Sequence, residues 1–264
     1  MNICSANKDV DVLVGQFIKN VSQIKEESIT DYLVWQWKIL DARFNYIKVN
    51  PFTKEQENKT TGADFEMELW IVGKDHAIPL VFQAKKLMKE YNSYKSAINY
   101  PDNTKMQIGT LLAYARTTRK LPFYMFYSVP NAKTKTMCKG PSHGSSGAVY
   151  MADALAVQVI ANSSAAKISK NHLLSKSNPF YCLFCCPLGA KENVDGASKL
   201  AGLRSYFELY FPLLAGMPLL DTYSVPISEL NPTVKSLLEG RTPDVAPDLP
   251  YRIVATLNIG APLN

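Results

Sequence analysis

Residues 61–87 read TGADFEMELWIVGKDHAIPLVFQAKKL, and this stretch decides the fold. From Asp64 to Val72 the residues alternate, with Asp64, Glu66, Glu68 and Trp70 on one face and Phe65, Met67, Leu69 and Ile71 on the other. A period of two is that of a strand. Gly73, Lys74, Asp75 and His76 supply a polar turn, and the apolar run at residues 80–84 predicts a second strand. A hairpin folded about Lys74 sets Asp64 opposite Ala84, with Gln83 and Lys85 flanking it on one shared face. One acid, one amide and one amine then converge at the open end of the hairpin.

Working outward, residues 9–24 and 28–40 carry apolar residues at helical spacing, with Ser28 as the expected N-cap of the second helix. Glu26 and Glu27 fall at its start, where the helix dipole favours negative charge. Residues 44–49 read as a strand, 104–117 as a helix, and the dense apolar run LPFYMFYSV at 121–129 as a buried central strand. Beyond Pro130 a Lys-, Ser- and Gly-rich loop is followed by apolar segments at 148–160 and 180–186, an aromatic-rich helix at 200–214 and a last strand at 251–257. The pattern predicts an α/β (α+β) protein with a mixed central β-sheet flanked by helices. Residues 1–130 form the expected core. Residues 131–264 form an extension that completes the sheet and adds helices, unless the whole is one compact domain.

At 264 residues, 47% hydrophobic and 20% charged, the chain supports a substantial core and excludes global disorder. A net charge of +6 favours an anionic partner. No apolar run reaches the roughly 18 residues of a membrane span. The N-terminus lacks a secretory leader pattern. Five cysteines, three of them at Cys182, Cys185 and Cys186, fit reduced thiols and a cytoplasmic setting. With no second CxxC, and with no regular spacing to Cys138, His143 and His172, these cysteines read as buried apolar residues rather than zinc ligands.

The acid, amide and lysine suit metal-assisted phosphodiester hydrolysis. A carboxylate and an amide oxygen are ligands for a hard cation, Mg or Mn, and a nearby lysine can stabilise developing charge. Glu27 on an early helix, Gly62-Ala63-Asp64 at a strand start and Gln83-Ala84-Lys85 at the end of the next resemble the core of the PD-(D/E)XK nuclease superfamily, in a Gln-x-Lys variant. Gln107, with Tyr114 on the following helix, resembles a helical Gln-and-Tyr motif of some branches. The resemblance spans residues 27–128 and implies a restriction-endonuclease-like core. It implies catalytic positions at Glu27, Asp64, Gln83, Lys85 and Gln107, of which Asp64, Gln83 and Glu27 would hold the metal. It further implies a nuclease acting on nucleic acid, DNA rather than RNA, in a bacterial restriction or antiviral defence role, with homodimeric assembly allowed. Gln83 stands where that family carries an acid. The alternative is therefore a catalytically weakened relative that binds nucleic acid or a protein partner. An unrelated α/β enzyme in which the hairpin is only structural is the third reading.

Overall fold

The computed structural model describes residues 3–21, 23–51, 65–87, 93–98, 107–138, 147–186, 196–215, 223–242 and 251–259. Helices α1 (Ile3–Asn20) and α2 (Glu26–Phe44) precede β1 (Ile47–Pro51), β2 (Phe65–Val72) and β3 (His76–Lys86). Then come α3 (Lys95–Ile98), α4 (Gln107–Thr118), β4 (Leu121–Tyr127), β5 (Val149–Asp153), α5 (Ala154–Ala161), α6 (Lys170–Leu174) and β6 (Ser177–Pro179). The chain continues through α7 (Cys182–Cys185), α8 (Gly196–Tyr210), α9 (Pro212–Ala215), β7 (Val225–Pro226), α10 (Pro232–Leu238) and β8 (Tyr251–Asn258). The fold is α+β: one mixed eight-stranded sheet in the order β1-β8-β2-β3-β4-β5-β6, with β7 on β3.

Helices cover both faces of this sheet. On one face Met67, Leu69 and Ile71 of β2 and Ile78, Leu80 and Phe82 of β3 pack with residues of α1, α2, α7 and α8. On the other, Trp70, Val81, Tyr124 and Phe126 pack with α4, α5, α6 and α10. Burial on both sides explains why β4 reads as an unbroken apolar run. It also buries both acids of β2, Glu66 and Glu68.

The hairpin exists, with its register shifted by one residue from the expectation. Met67 pairs with Phe82 and Val72 with Ala77, so the symmetry point falls between Lys74 and Asp75 rather than on Lys74. One further step along the ladder sets Glu66, not an odd-numbered residue, across from Gln83. Strand β8, from the far end of the chain, lies parallel to β2 and antiparallel to β1. A single sheet therefore draws strands from both sides of residue 130.

Other local expectations changed where tertiary contacts outweighed local pattern. Helix α2 begins two residues earlier than predicted. Its N-cap is Lys25, without a side-chain capping bond, in place of Ser28. The segment at 148–160 is both of its possible readings in turn, a strand and then a helix capped by Asp153. Residues 182–185 are a helical turn rather than a strand, closed by Cys186 N–H donating to the Cys182 carbonyl at 3.0 Å.

Candidate functional site

The sequence-predicted residues fall at one end of the sheet, where β3 and β4 finish. Strand alternation puts Gln83 and Lys85 on one face of β3, and both are buried, at 5% and 9% exposure. In the parallel ladder Gln83 aligns with Tyr124 of β4. Among the described residues, the side-chain oxygens of both, Gln83 Oε1 and Tyr124 Oη, are buried without a hydrogen-bond partner. Burial pushes the Tyr124 hydroxyl upward, so it stays protonated. Gln107 opens α4, which packs against β3 and β4, and its Oε1 is likewise without a partner. Asp64 lies outside the described residues.

The N-terminus of α2 docks onto this same end. Glu26 accepts the Lys86 N–H at 2.8 Å, and the Lys86 ammonium donates to the Ile24 carbonyl. Glu27 is exposed on the first turn, and its backbone carbonyl accepts from Arg252 Nη2 at 3.2 Å. Arg252 of β8 also forms ion pairs with Asp31, at 2.6 Å, and with Glu66. Burial raises the Glu66 carboxyl above its ordinary range, Arg252 opposes that rise, and the nearby Glu27 charge adds to it. Thr30 and Tyr127 close the floor with a 2.6 Å hydroxyl contact. The structure thus gathers Gln83, Lys85, Glu66 and Glu27 at one sheet end. Arg252 is the member that sequence reasoning missed, and no local pattern in residues 251–258 marks it.

A second polar cluster lies deeper on β2. Glu68 is fully buried and accepts from Trp70 Nε1, from Tyr114 Oη at 3.4 Å and from the Lys120 ammonium, which in turn donates to Tyr114 Oη at 2.8 Å. Lys120, which follows α4, is held in this ion pair. Its burial works against the charge, but the Glu68 carboxylate and Tyr114 outweigh that effect and raise its pKa. Tyr114 therefore belongs to a structural network.

The cysteines also depart from the all-thiol expectation. Cys4 and Cys185 form a disulfide. Cys138, Cys182 and Cys186 are not disulfide-bonded, and their Sγ atoms all lie within 4.8 Å of one another. The helical turn at 182–185 makes the cluster, since it stacks Cys182 and Cys186 one turn apart, whereas a strand would separate them by about 13 Å.

A cavity of about 350 Å³ opens beside α5, α6 and α9, lined in part by Asp153, His172, Lys176 and Tyr210. None of the predicted site residues lines it. Its acid, Asp153, caps α5 through Oδ1, which accepts from Leu155 N–H at 2.7 Å.

A mixed α+β sheet with a polar cluster buried at one end defines the class. Within it, the profile described as "Family of unknown function (DUF6615)" matches residues 6–257, and the chain belongs to that family. No curated protein and no solved structure matches the chain. Among the described residues no helix is long and apolar enough to cross a membrane.

Proposed function

We propose that the chain is a metal-dependent nuclease that hydrolyses phosphodiester bonds, with DNA as substrate, in a bacterial restriction or defence setting. One observation carries the reading: among the described residues Gln83 Oε1 is buried without a partner, on the strand face it shares with Lys85. An unsatisfied buried acceptor costs about 1–3 kcal/mol, and a hard cation coordinated by that oxygen would offset the cost. The residues fit such an ion in their donor chemistry. Gln83 offers a neutral oxygen, and Glu66 and Glu27 add negative charge at the same sheet end. Among the described residues the only cluster of three metal-ligating side chains is the cysteine group. The reading therefore needs the Asp64 carboxylate as its principal anionic ligand. Bound there, Mg or Mn would lower the pKa of a water and polarise the phosphate.

The chain's own residues have separable tasks. Lys85 stabilises the charge that develops on the phosphate. Arg252 fixes the Glu66 carboxylate by pairing with it, and Asp31 braces Arg252. Glu27, exposed at the rim, sets the negative potential at the entrance.

The test is cleavage of plasmid DNA by the purified chain in Mg or Mn. Asp64→Ala and Lys85→Ala should each abolish cleavage while the fold, read by circular dichroism, persists. Activity that survives both changes, or excess chelator, sinks the proposal. A second reading is favoured by Gln83 itself, an amide where the resembling family has an acid: a weakened relative that binds nucleic acid or a protein without cutting. It expects DNA retention by Lys85→Ala equal to wild type and no cleavage by either.

A further inference from the structure

We propose that Cys138, Cys182 and Cys186 form a zinc site, separate from the sheet end where Gln83 and Lys85 lie. The geometry is close to what the ion requires. Zinc–thiolate bonds of about 2.3 Å in a tetrahedron place sulfurs about 3.8 Å apart. Cys138 Sγ and Cys186 Sγ are 3.7 Å apart, and all three sulfurs lie within 4.8 Å of one another. Small side-chain rotations close the remaining gap. A disulfide would need about 2.05 Å, and pairing any two of three thiols leaves one over.

The scaffold is built to hold these sulfurs. Cys182 and Cys186 stand four residues apart, one turn of helix, so both point the same way. Cys138 arrives from the segment after β4. Its backbone N–H donates to Asn178 Oδ1 at 2.7 Å, and Met137 N–H donates to the Ser177 carbonyl at 3.0 Å. Asn178 is itself oriented by donating to Tyr206 Oη at 3.2 Å. The Cys4–Cys185 disulfide ties α1 to the same helical turn, fixing it from the other side.

The chemistry selects the ion. Three thiolates form a soft donor set that prefers zinc to Mg or Mn. Their charge of −3 against +2 leaves one negative charge, and Lys8 lies close enough to Cys186 to act on it electrostatically. Cys138 and Cys182 are buried while Cys186 is half-buried, so the three sulfurs would hold the ion at the edge of the core.

The experiment uses the full chain with its disulfide intact, handled without oxygen, stripped of metal and titrated with Co(II). We expect saturation at one ion per chain, with tetrahedral visible bands and a thiolate-to-cobalt charge-transfer band of three-thiolate intensity, all displaced by one equivalent of zinc. Cys138→Ser and Cys186→Ser should each remove one thiolate's share of that band. A folded wild-type chain that shows no thiolate band overturns the proposal, as does a band unchanged in Cys186→Ser. Should a serine variant fail to fold, the wild-type titration alone decides.

Discussion

Replacing Lys120 by Met isolates the energetics of the buried polar network. Glu68 has no solvent exposure, and among the described residues the Lys120 ammonium is the only cation that donates to it; the other donors are Trp70 Nε1 and Tyr114 Oη. Methionine keeps most of the volume of lysine and removes the charge, which leaves a carboxylate held by neutral donors alone. Breaking a buried pair in this way costs about 3–5 kcal/mol. Glu68→Gln should cost less, because the amide oxygen still accepts from Trp70 while Lys120 keeps Tyr114 and, at 10% side-chain exposure, some water. The double variant Glu68→Gln/Lys120→Met should recover part of the sum, giving a coupling energy within the roughly 0.5–3 kcal/mol seen for contacting residues. The pH sign follows from Lys120. Its folded pKa is raised, so the stabilisation is complete below its ordinary value of 10.5 and is lost as pH rises through the folded pKa. Urea unfolding of the four proteins at pH 7, with wild type and Lys120→Met also followed from pH 10 to about pH 11.5, measures all of this. A cost below about 1 kcal/mol for Lys120→Met, or additive single changes, would refute the view that the pair is desolvated and coupled.

Four further outcomes are expected. Asp11 is pushed up to about 7 by burial, against the N–H donations of Ala148 and Val149, so its contribution is complete below about 3.8 and declines as pH rises to about 7; Asp11→Asn should therefore flatten this part of the stability profile, most visibly as a relative gain in melting temperature at pH 8 over pH 5. Gly147→Ala would place a methyl 2.8 Å from Asp11 Oδ2, which should cost about 1–3 kcal/mol by overpacking, read by thermal unfolding. Gln83→Met removes the unpartnered oxygen and should raise stability by about 1 kcal/mol while abolishing metal-dependent cleavage; a variant both less stable and fully active would contradict the assignment of that oxygen. Under the nuclease reading, Gln83→Glu should lower the Mg concentration needed for half-maximal cleavage of plasmid DNA.

The sequence by itself determined the elements that local pattern controls. Strict alternation from Phe65 to Val72 specified β2, the apolar run from Leu121 to Tyr127 specified a central strand, and the polar turn between β2 and β3 specified a hairpin. It also put Gln83 and Lys85 on one face, since that follows from strand geometry alone. Tertiary structure decided what depends on partners distant in the chain. A one-residue register shift, fixed by packing on both faces, set Glu66 rather than Phe65 across from Gln83. Arg252 reaches Glu66 and Asp31 across separations of 186 and 221 residues, because β8 inserts beside β2. The burial of Glu68 depended on Lys120 arriving across β3, which no alternation in β2 records. The cysteine cluster joins a loop after β4 to a helical turn near residue 182. Ligand spacing is legible only when the ligands share a local segment, and here only the fold supplies the third.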